Sequence, residues 1–341
     1  GDVYKRQVMK NIIKPIAGLL ILGSMAFASC TDVESITIDE SNVKDQYPEA
    51  YAKYLSNLTA YKASEHKVVY AWFDNSNKET YSPAQHISNM PDSIDVVSMT
   101  VPELDDFEKT DIETVHQKGM KVVYTINYDE IKADYDELAS DENNTSLETF
   151  DNYLQAQLTA LLAYSGDFDG LIAGFSGRDP QFMSATERAA YQATQNIFLN
   201  AINTWKSGNS DKELVFLGKP QNLLDKTILT NCKHIILDSE SVSNIGQLNL
   251  LVNGVLEEGI PSDRFVIAAS TVSIDTADKK TGYWDGKRTM SEIAYWVTEE
   301  NALYEKAGIA IYDVQNDYYS TGGACTYVKE TINIMNPAPI K

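Results

Sequence analysis

Seven carboxylates, Asp74, Asp129, Asp179, Asp238, Glu240, Asp313 and Asp317, fall at or just beyond the ends of short apolar runs. Such groups suit general acid–base work or hydrogen bonds to hydroxyls. Aromatic residues share these places. Trp72, Tyr128 and Phe175 close apolar runs, Tyr283 and Trp284 lie in a long loop, and Tyr318 and Tyr319 follow the last run. The chain holds 20 Tyr, 10 Phe and 4 Trp, enough for several such platforms. An aromatic face stacks on the apolar C–H face of a pyranose, while amides such as Asn75, Asn127, Gln315 and Asn316 bind its hydroxyls. Trp284, in Thr-Gly-Tyr-Trp-Asp-Gly, is poor core material and is the leading ligand contact. Trp72 and Phe175 fit core filling equally well. Arg178 beside Asp179 suits an anionic or hydroxyl-rich ligand, or a loop salt bridge.

Other chemistries have less material. The four His, at 66, 86, 116 and 234, start strands or lie in helices and loops, where surface or structural roles are expected. With three Cys they leave little for a metal site, and no cofactor is expected. The 341 residues carry 49 acidic and 28 basic side chains, a net charge of −21, which argues against nucleic acid.

The elements that must position these groups follow from the hydrophobic pattern. Eight apolar runs, 67–73, 94–101, 121–127, 168–175, 213–218, 234–237, 264–270 and 308–314, read as buried parallel strands. Helical patterns are expected over 47–62, 146–164, 185–206, 243–258 and 291–306; Ser184 to Glu187 forms a capping box at the start of the third. Long polar loops are expected over 128–144 and 274–289. Strand and helix alternating eight times indicate an α/β fold, a single-domain (β/α)8 TIM barrel over 46–336, whose strand C-terminal ends form the ligand face. An open doubly wound sheet is the alternative, but Trp72-Phe73-Asp74-Asn75 is not the Gly-rich turn it favours.

The N-terminal segment is not expected to join the fold. Met9-Lys-Asn-Ile-Ile-Lys14, an apolar run to Ala28 and Ser29-Cys30 have the layout of a secretory signal over 1–29, with 1–8 as upstream translation. Phe27-Ala28-Ser29-Cys30 resembles a bacterial lipobox, which implies lipidation of Cys30 and an exposed leader over 30–45. Plain secretion is the alternative. Losing 1–29 removes four basic residues and one acidic residue, taking the net charge from −21 to −24. Cys232 and Cys325 then remain, expected as two thiols rather than a disulfide.

The fourth run carries the most specific pattern. Asp169-Gly170-Leu171-Ile172-Ala173-Gly174-Phe175-Ser176 resembles the fourth-strand motif of glycoside hydrolase family 18, the chitinases and endo-β-N-acetylglucosaminidases. That motif runs Asp-Gly-hydrophobic-Asp-hydrophobic-Asp-aromatic-Glu. Ala60-Tyr61-Lys62 leading to Trp72, and Pro91 to Ser98, are also similar to family members of Bacteroidetes type. The resemblance implies a substrate-assisted mechanism, in which an Asp orients the sugar acetamide and a Glu protonates the leaving oxygen. Period-2 alternation puts 172, 174 and 176 on one face, and here they are Ile, Gly and Ser. No catalytic residue is therefore expected at these positions.

The resemblance implies a cell-surface lipoprotein of the outer membrane, held by lipid on Cys30. It would bind N-acetylglucosamine-containing glycans for neighbouring uptake proteins. Expected ligand contacts are Trp72, Asn127, Tyr128, Phe175, Ser176, Arg178, Asp179, Glu240, Trp284, Asp313 and Gln315. An active hydrolase with a relocated acid, Asp179 or Glu240, and a scaffold protein that binds no sugar are the alternatives.

Overall fold

The computed structural model describes residues 43–141 and 146–338. The expected secretory signal, Cys30 and most of the expected leader lie outside the described residues. Contacts divide the chain after Tyr54, and the barrel lies within Leu55–Lys341. Among the described residues, no helix is long and apolar enough to cross a membrane.

Eight parallel strands close a barrel: β1 (Val68–Phe73), β2 (Val96–Met99), β3 (Lys121–Asn127), β4 (Gly170–Phe175), β5 (Glu213–Gly218), β6 (Ile235–Leu237), β7 (Phe265–Ser270) and β8 (Lys306–Tyr312). β8 pairs with both β7 and β1, which completes the ring. The sheet is therefore a closed (β/α)8 barrel, with no free edge. Gly308 permits the closure: a Cβ there would lie 1.9 Å from the Val68 carbonyl oxygen.

Alternation sorts the strand side chains into two layers. Tyr70, Trp72, Val96, Val123, Ile172, Val215, Ile236, Val266 and Ala310 fill the lumen. The opposite faces, with Phe73, Tyr124, Phe175 and Phe216 among them, pack beneath the helices in a separate, larger core.

The helices are α1 (Val43–Gln46), α2 (Pro48–Ala63), α3 (Asp106–Gln117), α4 (Tyr128–Ala139), α5 (Phe150–Leu162), α6 (Ala185–Gly208), α7 (Ile245–Gly254), α8 (Thr289–Thr298) and α9 (Thr326–Met335). The Ser184 capping box forms as the sequence indicates. Two expectations change. The segment after β3 is a helix rather than a loop, because Asn127 caps it and Tyr128 and Ile131 bury one face. The helix expected over 291–306 ends at Thr298, and Lys306 already belongs to β8. Cys232 and Cys325 are both buried free thiols.

Candidate functional site at the strand C-terminal ends

The lumen side chains nearest the C-terminal mouth build a floor. Trp72 is the penultimate residue of β1 and is 7% exposed. Its Nε1–H donates to Thr125 Oγ1 at 2.9 Å, and its ring rests on Tyr312 with centroids 4.5 Å apart. Thr125 Oγ1 also meets Ser98 Oγ at 3.0 Å. A tryptophan held by its indole N–H and one face is a rigid platform.

Next to it, β3 and β4 run in register with Asn127 beside Gly174. A Cβ on Gly174 would sit 3.0 Å from Asn127 Cγ and 3.2 Å from its Cα. Asn127 therefore occupies the space that a side chain at 174 would enter. Asn127 is itself fixed: its Oδ1 accepts the Asp129 N–H at 3.0 Å, and its Nδ2–H donates to Glu130 at 3.2 Å. Ile172, one layer deeper, is fully buried among apolar lumen side chains.

One carboxylate reaches the end of β4. Asp129 Oδ2 accepts the Ser176 N–H at 2.6 Å and Oδ1 accepts the Gly177 N–H at 2.9 Å. The Ser176 carbonyl accepts Asn222 Nδ2–H at 2.7 Å. Asp129 thus spends one oxygen on each N–H and fixes the strand end. Gly177 has φ of +54°, and a Cβ there would strike the Tyr191 hydroxyl at 2.3 Å. Glycine meets both the left-handed backbone and the close approach.

The rest of the rim is acidic. Asp313 follows β8 with φ of +54°. Its carboxyl is raised above the usual range, first by desolvation and then by the like charges of Asp74 and Glu240. The residue is also exposed to solvent at the rim. The Tyr312 hydroxyl is pushed well above its ordinary value by burial, then by Glu240, Asp238, Glu130 and Asp313. Gln315 Oε1 accepts the Asp74 N–H at 3.2 Å and joins the segments after β1 and β8.

The other expected contacts distribute unevenly. Tyr128 and Phe175 point away from the mouth. They lie in the outer core with centroids 4.6 Å apart, and Phe198 packs against both. Their place as ligand contacts is corrected, and the parity of 175 against 172 and 174 carries the reason. Trp284 is also corrected: it is 8% exposed and belongs to the outer core. Tyr283–Trp284 pairs with Lys287–Arg288 in a hairpin, turned by Asp285 and Gly286 at φ of 47° and 81°. That Asp-Gly turn folds the indole inward, and it is the signal that the sequence reading missed.

Arg178 is exposed, its guanidinium 4.0 Å from Glu187. Asp179 is exposed and caps the short turn Pro180–Phe182 by accepting the Gln181 N–H at 2.8 Å. Glu240 is exposed on the rim. Tyr312, absent from the expected contacts, is part of the floor; the alternation applied to β4 would have found it on β8. Asp169, the motif's first residue, lies at the other end of β4. It accepts from Val122 N–H at 2.7 Å and pairs with His116 at 2.8 Å.

The comparisons place this geometry in a family. The family model for glycoside hydrolase family 18, BT1044-like, matches residues 31–334. Among solved structures, a selenomethionine Glu-to-Gln variant of BT1044 matches with a TM-score of 0.59 at 14% identity, covering 86% of this chain and 95% of that one. Endo-β-N-acetylglucosaminidase from Cordyceps militaris, in apo form, matches with a TM-score of 0.58 at 19% identity, covering 83% and 95%. The same enzyme with an Asp and a Glu two residues apart replaced, in complex with fucosyl-N-acetylglucosamine-Asn, matches at 0.56 and 18%, covering 83% and 95%. No curated protein matches significantly. With the family model spanning nearly the whole barrel, this chain belongs to glycoside hydrolase family 18, in its BT1044-like group.

Proposed function

We propose that the protein is a glycan-binding member of family 18 that does not hydrolyse its ligand. The observation that carries the reading is the identity of the inward positions along β4 and just past its end: Ile172, Gly174 and Ser176. The family mechanism needs an acid and an acetamide-orienting carboxylate there. The Asp and Glu replaced in the Cordyceps relative have the spacing of 174 and 176. An unperturbed serine hydroxyl is no proton donor near neutral pH, and Gly174 offers no side chain. General acid catalysis alone supplies about 10²–10⁴-fold. The contact between Gly174 and Asn127 supports the reading further, since an Asp at 174 would meet a neighbour already fixed by two hydrogen bonds.

The ligand class is a glycan containing N-acetylglucosamine, of N-glycan or chitooligosaccharide type. Trp72 and Tyr312 would stack its rings, with Asn127, Ser176, Asp313 and Gln315 toward its hydroxyls. Lipidation of Cys30 would hold the protein on the outer membrane, beside uptake proteins for the bound glycan. Calorimetry with an N-glycan and with chitooligosaccharides tests the reading: saturable binding with no reducing sugar released on long incubation is the expected result. Release of reducing N-acetylglucosamine overturns it.

A second reading is favoured by one observation, the raised carboxyl of Asp313 facing Asp74 and Glu240. A carboxyl whose ionisation is disfavoured by desolvation and by neighbouring like charges is the kind of group that can act as a relocated acid. If turnover is found, Asp313→Asn or Glu240→Gln abolishes it on this reading, and unchanged turnover in both removes it.

A further inference from the structure

We propose that Tyr81 and Tyr319 form an outer sugar-stacking subsite, one step beyond the Trp72–Tyr312 floor on the segments that follow β1 and β8. The inference rests on the glycan-binding reading and extends it outward.

Both rings are open to water, Tyr81 at 81% and Tyr319 at 71% exposure. The Tyr319 hydroxyl is nevertheless held: its Oη lies 2.6 Å from the Oγ of Ser82, the residue that follows Tyr81. Tethering a tyrosine by its hydroxyl fixes the ring and leaves its faces free. The segment that carries Tyr81 is ordered by Ser82, which caps the turn Pro83–Gln85 in a capping box. Tyr319 is braced edge-on by Tyr318, with centroids 5.0 Å apart at 82°.

Continuity with the floor comes from the barrel closure. β1 and β8 are neighbours, and their following segments are tied at the inner end by Asp74 to Gln315 and at the outer end by Ser82 to Tyr319. Aromatic surface therefore follows one pair of segments from the lumen to the rim.

The occupant is a neutral pyranose of a chain already seated in the mouth. An anionic ligand is disfavoured by the net charge of −21 and by Asp74, Glu240 and Asp313 on the same rim. A protein partner needs about 800 Å² on each side, and two tyrosines supply roughly half of that. One or two sugar rings match the area.

Titration of the full chain with chitobiose and chitohexaose tests the subsite. Tyr81→Ala with Tyr319→Ala should weaken chitohexaose binding about tenfold and leave chitobiose binding unchanged. Tyr319→Phe, which keeps the ring and loses the tether, should weaken chitohexaose by a smaller factor. Unchanged chitohexaose affinity in the double variant overturns the subsite while glycan binding stands. Equal loss for both ligands also overturns it, because the tyrosines then act on the inner floor. If the wild-type chain binds neither probe, the subsite is overturned, while the glycan-binding reading falls only if an N-glycan also fails to bind.

Discussion

At the N-terminal end of the barrel, Asp95 Oδ2 accepts the Val69 N–H at 2.8 Å, while Oδ1 faces His66 at 3.0 Å and Lys62 at 3.6 Å. At the C-terminal end, Asp313 faces Asp74 and Glu240. The contrast repeats around each rim. On the N-terminal side Asp169 pairs with His116, and Glu213 pairs with Lys121 and Lys233. Burial alone would raise the Asp169 and Glu213 carboxyls, but their cationic and N–H partners hold both below the usual carboxylate range. On the C-terminal side burial, and then neighbouring carboxylates, raise Tyr312 and Asp313 instead. One end spends its charges on stability. The other keeps them at a cost, as binding sites commonly do.

Removing a carboxylate from each end is the sharpest way to break this contrast. Asp95→Ala strands Lys62 and the Val69 N–H and should cost about 3–5 kcal/mol in urea unfolding. A loss below about 1 kcal/mol would mean that the N-terminal network is ornamental.

The next largest effect concerns His234, which sits in the N-terminal lumen against the Tyr70 hydroxyl at 2.7 Å. Burial, then Lys233, lowers its pKa to about 4. The unfolded chain, with an ordinary value near 6.5, binds that proton first. His234 therefore costs nothing above about pH 6.5 and destabilises the fold progressively as pH falls to about 4, by up to about 3 kcal/mol. His234→Gln should flatten stability across that window. An unchanged slope between pH 6.5 and 4 would show that another group titrates there.

At the mouth, the contrast predicts that chemistry is missing for want of carboxylates rather than of fold. Gly174→Asp with Ser176→Glu, in an Asn127→Ser background that frees the space and keeps the helix cap, should raise reducing-sugar release at least about 10²-fold. No gain in a folded variant would place the block elsewhere in the mouth.

The smallest effect is expected for Asp313→Asn. Because the folded carboxyl is raised, its stabilising share is present below the unfolded pKa and lost as pH rises through the folded value. At pH 7 the variant should match or slightly exceed wild-type stability, with a flatter profile above the unfolded carboxylate value near about 4. A clear loss at pH 7 would mean that Asp313 is a structural residue like Asp95.

Much of the fold was legible because its signals are local. Each strand announced itself as a short apolar run, and parity along β4 set which residues look inward. The same parity placed Phe175 outside and Tyr312 inside, and reading it on every strand would have corrected both. α4 was hidden by its acidic surface, although Tyr128, Ile131 and Tyr135 recur at helical spacing. Trp284 was misplaced because the burial of a hairpin depends on what it folds against.

The sequence alone determined the succession of strands along the chain, the inward face of β4, and the identities Ile172, Gly174 and Ser176 along and just beyond it. These depend on chain chirality and a period of two residues, which act within a few residues. Only the tertiary structure decided that Asn127 fills the space beside Gly174, that Asp129 holds the N–H groups of Ser176 and Gly177, and that Trp72 rests on Tyr312. Those partners lie far apart in sequence, and closing the barrel brings β8 back beside β1. Distance along the chain does not encode that adjacency; the closed hydrogen-bond ring creates it.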